Sequence, residues 1–275
     1  MASTLYIIPT PIGNIEDITL RAISTLKSVS CIACEDTRVT QKLLNKYGID
    51  ARLLDCHKFN EKQRSAEIIK ILSSGEDVAL VSDAGTPLIS DPGSVLLKEI
   101  HASSFKTVSL PGACAVTTFL SAIERDTEEF AFSGFIPRTE AKQEEFFQKF
   151  KYINTVFYES PNRLLQTLEN IKNYFGEDKK IAIGRELTKV FEEIKTGTVK
   201  EIIDYYQNNT LKGEIVGLIF AQECEDTSSD ELTEKAEYLK KQNFSAKDTV
   251  KILTGLYSAP KNKVYELVQN IYNGR

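Results

Sequence analysis

Apolar residues in the first half of the chain fall into short, β-rich blocks separated by amphipathic stretches. Residues 5–8, 31–34, 52–55, 78–81 and 107–110 each read as a short buried strand. Between them, Leu20, Ile23, Leu26 and Lys27 take helical spacing, and Leu43, Leu44 and Tyr47 mark a helix that stops at Gly48. A third helix runs over residues 61–72 with Ile68, Ile69 and Leu72 on one side, and a fourth includes Val95, Leu96 and Ile100. Strands that alternate with helices predict a mainly parallel sheet with helices on both faces.

The alternation resumes after Ala122. Residues 131–137 read as a strand ending at Pro137, residues 142–151 as a polar helix, and residues 155–159 as another strand. Leu164, Leu165, Leu168 and Ile171 form an apolar helical stripe, and residues 181–184 and 214–220 read as further strands. This predicts a second α/β unit of ordinary domain size. Residues 222–231 then hold five acidic side chains and read as a linker. Beyond it the tail reads as three short helices: Ser245 with Asp248 suits an N-terminal cap, and Val264, Leu267, Val268, Ile271 and Tyr272 share one helical face. The expected division is an N-terminal α/β domain (1–122), a second α/β domain (123–222), an acidic linker (223–231) and a small basic helical domain (232–275).

Composition narrows the class. The 275 residues are 41% hydrophobic and 27% charged with a net charge of −5, the profile of an ordinary globular protein. The charge is uneven, however: residues 232–275 carry eight Lys/Arg against four Asp/Glu, a net +4, which leaves −9 on residues 1–231. That suits contact with a polyanion, and equally a helical appendage with solvated lysines. No apolar run approaches a membrane span, and nothing near Met1 reads as a secretory signal, so the cytoplasm is the expected compartment. Five scattered cysteines do not suggest a disulfide framework. Cys31 and Cys34 form a CxxC, but on a strand they point to opposite faces, and no second pair completes a zinc set, so no metal is expected. Cys56, Cys114 and Cys224 read as core or near-core residues.

Three loops follow predicted strands of the first sheet: 9–14, 82–93 and 111–113. Rich in Gly, Pro and Asp, they lie where open α/β sheets place their ligands. The dinucleotide fingerprint, the P-loop and the nucleophile elbow are all missing. Asp83 and Asp91 suit ribose hydroxyls or an ammonium group. Glu35, Asp36, Asp83 and Asp91 suit Mg²⁺ in a phosphate hydrolase equally well, and spacing does not separate the two.

Seven motifs occur in order: Pro9-Thr10-Pro11-Ile12-Gly13-Asn14, Glu35-Asp36-Thr37-Arg38, the run from Val81 to Gly93, Leu110-Pro111-Gly112, Phe157-Tyr158-Glu159-Ser160, Arg185-Glu186-Leu187-Thr188-Lys189 and Lys212-Gly213-Glu214. Together they resemble the ribosomal small-subunit RNA cytidine 2′-O-methyltransferases of the tetrapyrrole methylase superfamily, over essentially the whole chain. Ala113-Cys114 departs mildly from the pair that usually follows Pro-Gly there. The tail, with Lys263-Val264-Tyr265, is similar to the small helical domain that often closes the family.

The resemblance implies S-adenosylmethionine as cofactor in a cleft between two α/β domains, a homodimer, and ribosomal RNA of the small subunit as substrate. It places Pro11, Ser82, Asp83, Ala84, Gly85, Pro111, Gly112 and Ala113 around the cofactor, with Leu187 and Gly213 approaching its adenine. Glu35, Asp36, Glu186 and Lys189 are the candidates to assist proton removal from the attacking hydroxyl. Arg38, Lys189, Lys261 and Lys263 are the candidates to hold RNA phosphates. Two plainer roles stand beside these: Asp36 as a helix cap, and Asp83 as a turn-former bonding its own loop. The alternative substrates are a tetrapyrrole methylated on carbon, within the same superfamily, and a phosphate ester cleaved with Mg²⁺.

Overall fold

A computed structural model describes residues 3–209, 211–222, 229–257 and 261–273. They form two compact units, residues 1–220 and 221–275. The first unit opens with five strands, β1 (Thr4–Ile7), β2 (Cys31–Cys34), β3 (Arg52–Asp55), β4 (Val78–Leu80) and β5 (Lys106–Ser109). Four helices connect them: α1 (Leu20–Ser28), α2 (Thr37–Tyr47), α3 (Glu61–Ser73) and α4 (Ser94–Ala102). The sheet order is β3-β2-β4-β1-β5 and every pairing is parallel, as the alternation predicts.

The inner strands of this sheet are covered on both faces, whereas the edge strand β5 keeps Lys106 and Ser109 exposed. Along β2, Ile32 and Cys34 join the core that includes Leu26 of α1 and Leu44 of α2. Cys31 and Ala33 face the opposite core, with Ile68 of α3 and Leu96 of α4. The CxxC thus divides between two layers, and Cys56 is buried as expected. Cys224 lies outside the described residues. Leu20 departs from its expected place: it is 85% exposed, because Ala22 and Leu26 carry the inward face of α1.

After α5 (Ala115–Ser121) comes a second sheet of β6 (Phe130–Phe135), β7 (Asn154–Glu159), β8 (Lys180–Arg185), β9 (Glu193–Thr198) and β10 (Ile215–Ile219), in the order β6-β7-β10-β8-β9. Only the β6–β7 pairing is parallel. Helices α6 (Glu140–Phe150), α7 (Pro161–Phe175) and α8 (Val199–Gln207) belong to this part. Helix α6 is less polar than its sequence suggests, since Phe147 is buried against Phe157 and Leu168. The other face of the sheet packs on α5: Val116, Phe119 and Leu120 share a core with Val156, Ala182, Val216 and, from the first sheet's loops, Ile12. This shared core brings the strand ends of the two sheets together.

The second unit contains α9 (Ser229–Lys241), α10 (Ala246–Tyr257) and α11 (Lys261–Asn273) around Leu232, Ala236, Leu253, Val264 and Val268. Ser245 caps α10 as expected, accepting from the Asp248 N–H at 3.1 Å while its hydroxyl donates to the Asp248 carboxylate at 2.6 Å. Among the described residues, no helix is long and apolar enough to cross a membrane.

Candidate active site

The carboxyl ends of β1, β4 and β5 open onto a cavity of about 420 Å³ in the first unit. Its lining includes the carboxylates Asp83 and Asp91 and the Ala84-Gly85 stretch, together with the apolar side chains of Ile12, Leu187 and Val216. A volume of this size suits a ligand of drug or cofactor dimensions.

The loops that carry this lining are tied to one another. Thr10 and Gly85 exchange backbone hydrogen bonds of 2.9 Å, and the Thr10 hydroxyl donates to Ser82 O at 2.9 Å. The Thr86 hydroxyl donates to Ala113 O at 3.0 Å, joining the β4 and β5 loops. Asp83 does not bond its own loop as a turn-former would. Its carboxylate accepts the Asp36 N–H at 3.0 Å and links the ends of β2 and β4. The buried carboxylate of Glu61, at the start of α3, accepts from Val95 N (2.7 Å) and Leu96 N (3.0 Å), and so caps α4 behind the 82–93 loop. Gly93 provides no side-chain cap there. Glu61 carries no signal a reader of the sequence would use, because its partners lie 34 and 35 positions away.

Of the ten residues expected around the cofactor, Asp83, Ala84, Gly85, Leu187 and Gly213 line the cavity. Pro11, Ser82, Pro111, Gly112 and Ala113 are not in the lining, whereas their neighbours Ile12 and Cys114 are. Cys114 is therefore a cavity residue as much as a core one. Gly112 meets a packing demand: a Cβ there would sit 2.7 Å from Pro9 Cβ. Gly213 has φ +93°, and a Cβ would overlap the Glu186 carboxylate.

The four proton-removal candidates stand outside the lining. Asp36 is the N-cap of α2, and Arg38 holds it: the guanidinium bonds the carboxylate, the Arg38 N–H adds a second bond, and the carboxyl is held down to about 2. The cap role expected of Asp36 is thus occupied, and the Arg38 side chain, 85% exposed, is committed to this pair. Burial pushes the Glu35 carboxyl up, and the Asp83 and Asp91 charges push it further.

Glu186 and Lys189 form one cluster with Glu214. Lys189 Nζ reaches Glu186 at 2.7 Å and Glu214 at 2.9 Å, and the Glu214 N–H donates to Glu186 at 2.9 Å. Burial alone would raise the Glu186 carboxyl and lower the Lys189 amine, but the mutual bonds outweigh burial in both. Lys261 and Lys263 lie in α11, in the other unit; the Lys261 side chain lies outside the described residues.

Among the lining residues outside the ten expected around the cofactor, two titratable ones are shifted by burial. Asp91 is half-buried, and burial raises its carboxyl with help from the Asp83 charge, against a hydrogen bond from Ser82. Tyr158 also lines the cavity, its phenol pushed well up by burial. Both fall inside motifs quoted from the sequence, which was the available signal. Among the described residues, no three Asp, Glu, His or Cys side chains converge as a metal-ligand group, so Glu35, Asp36, Asp83 and Asp91 do not form the Mg²⁺ set considered above.

Comparison with known proteins places this geometry. A family profile for tetrapyrrole (corrin/porphyrin) methylases matches residues 4–203. The "Ribosomal RNA small subunit methyltransferase I" of Rickettsia prowazekii (strain Madrid E) is 39% identical, covering 98% of this chain and 97% of that protein. The protein of the same name from Bacillus subtilis (strain 168) is 40% identical, covering 95% and 92%. Among solved structures, a cobalamin biosynthetic enzyme, cobalt precorrin-4 methyltransferase, superposes with a TM-score of 0.62 at 18% identity, over 79% of this chain and 94% of that one. A diphthine synthase does so with a TM-score of 0.62 at 14% identity, over 80% and 90%.

Proposed function

The chain belongs to the tetrapyrrole methylase family, within its group of small-subunit ribosomal RNA methyltransferases, and from that premise we propose that it methylates a cytidine ribose 2′-hydroxyl of 16S ribosomal RNA with S-adenosylmethionine. The observation that carries this reading is the cavity at the strand ends, with its mixed lining. Its apolar residues suit an adenine, and Asp83 with the neighbouring backbone carbonyls suits a cationic amino-acid portion. The bound cofactor supplies a methyl group on a sulfonium whose sulfur leaves as a neutral thioether.

The protein's part is to position and to exclude water. The 9–14, 82–93 and 111–114 loops are cross-bonded to one another, which holds this part of the lining in place. Alignment of this kind contributes up to roughly 7–11 kcal/mol to such reactions. Lys189 bridges Glu186 and Glu214 beside the cavity and stiffens the turn that carries Leu187. We infer too that the lysines of the tail contact RNA, that the α/β part divides near 122 and ends near 222, and that the working form is a cytoplasmic homodimer.

A tetrapyrrole substrate is not favoured, since the solved precorrin enzyme shares 18% identity, against 39% for the relative named for ribosomal RNA. The test incubates the protein with methyl-labelled S-adenosylmethionine and small ribosomal subunits from cells lacking the enzyme, then digests the RNA to nucleosides. Label in 2′-O-methylcytidine is expected. Cofactor binding without labelled RNA would overturn the substrate, and no cofactor binding would overturn the reaction.

A further inference from the structure

We propose that Asp91 is the general base that takes the proton of the attacking hydroxyl. This rests on the methyl-transfer reading above. Four carboxylates line the cavity: Asp83, Asp91, Glu159 and Glu214. Three of them are already engaged.

The Glu159 side chain is fully buried, paired with Arg163 at 3.2 Å, and accepts from the Thr167 hydroxyl (2.8 Å) and Ser160 N–H (2.7 Å). Glu214 is held by Lys189 at 2.9 Å and is 70% exposed. Asp83 accepts the Asp36 N–H at 3.0 Å and so ties the ends of β2 and β4, though burial still raises its carboxyl. A carboxylate that holds a cation or a backbone N–H has that oxygen already committed.

Asp91 is placed differently. Among the described residues, the groups that act on it are the Ser82 hydroxyl, the Asp83 and Glu35 carboxylates, and the Tyr158 phenol. None is a cation. The Ser82 proton is shared, because Ala84 O at 3.3 Å and Gly85 O at 3.1 Å also accept it. Burial and like charge favour its protonated form, which moves a carboxylate toward the range where a base works near neutral pH.

The step balances without another reactant. The hydroxyl O–H bond breaks and leaves its electron pair on oxygen, while the proton moves to an Asp91 carboxylate oxygen. The new O–CH3 bond forms as the C–S bond breaks, with that pair kept on sulfur. Asp91 then returns its proton to water.

The test compares wild type with Asp91→Asn in single-turnover methyl transfer across pH, alongside cofactor affinity and carboxyl 13C resonances. The expected result is a rate at least 100-fold lower in Asp91→Asn, within the range general-base catalysis contributes, and loss of the acid limb of the pH profile. Cofactor affinity should stay within about threefold. The carboxyl resonance missing from the variant should titrate above the ordinary Asp range, in step with the wild-type acid limb. A variant within tenfold of wild type, or one that keeps the acid limb, overturns the assignment. If Asp91→Asn does not fold, the wild-type resonances decide, and an Asp91 midpoint apart from the acid limb overturns it too. Wild type that labels no RNA overturns the substrate reading itself, a result separate from any change in the variant.

Discussion

At the scale of single residues, the cavity keeps carboxylates charged at a cost to the fold. Glu35, Asp83 and Asp91 all have their carboxyls raised, in each case first by burial. A carboxyl whose folded pKa lies above its unfolded value destabilises the fold while it is ionised. That penalty is present above the folded pKa and absent below the unfolded one, near 3.9 for Asp. Asp83→Asn keeps an oxygen to accept the Asp36 N–H but removes the charge. The variant is expected to melt at a higher temperature than wild type at pH 7, with the gain shrinking as pH falls through the raised pKa. Thermal melts at pH 7, 5 and 4 check this, and a gain that grows toward low pH contradicts it. Asp36 runs the other way: its carboxyl, held down to about 2 by Arg38, stabilises the fold above the ordinary carboxylate range and ceases to do so as pH falls toward 2.

At the scale of elements, the 82–93 loop depends on a side chain from another helix. Glu61 is the acceptor for two N–H groups at the start of α4, and it is buried. Glu61→Ala leaves both donors without it, and a buried donor left unsatisfied costs about 1–3 kcal/mol. We expect the melting temperature to fall by roughly 2–10 °C, by the scaling for domains of this size. The Val95 and Leu96 amides should lose hydrogen-exchange protection more than those of β2. Equal protection loss across the sheet would place the role of Glu61 elsewhere.

Such long-range partners were not legible in the sequence, whereas local patterns were. Strands β1, β2 and β4 of the first sheet could be read because each is a short apolar block, and β3 and β5, with more polar residues, because they fall between helical stretches and turn residues. Strand β9 could not, since Glu193-Ile194-Lys195-Thr196-Gly197-Thr198 is an edge strand with mixed side chains. Helix α8 was readable and overlooked: Thr198 and Glu201 form a capping box ahead of Val199, Ile202, Ile203 and Tyr206. The loop glycines were legible as motif members, but their reasons lie in contacts such as Gly112 with Pro9. Two of the base candidates named from the sequence, Asp36 and Glu186, are held by Arg38 and Lys189, which proximity in a motif does not reveal.

At the scale of the whole molecule, charge and compactness divide the labour. Residues 221–275 form their own compact unit with its own core, and the basic excess lies there, a net +4 over residues 232–275. A chain ending at residue 220 is expected to bind S-adenosylmethionine within about twofold of the full chain. Its affinity for RNA should be lower and less salt-dependent, with the slope of log K against log salt falling by about 0.7 for each single-strand phosphate that the tail no longer neutralises. Calorimetry with the cofactor and filter binding across a salt series provide the two readings. An unchanged salt slope would mean the tail binds no phosphate.

The strand order of the first sheet also sets a schedule for the nascent chain. Strand β1 lies between β4 and β5, so Leu5 pairs with Val78 on one side and Thr107 on the other. Of the five strands of this sheet, β1 leaves the ribosome before the others and lacks its second neighbour until Lys106–Ser109 has been made. Until then its apolar residues are open to chaperones or to wrong partners, and sequence-distant pairing of this kind closes slowly. Within this sheet the strand made first is among the last to be secured.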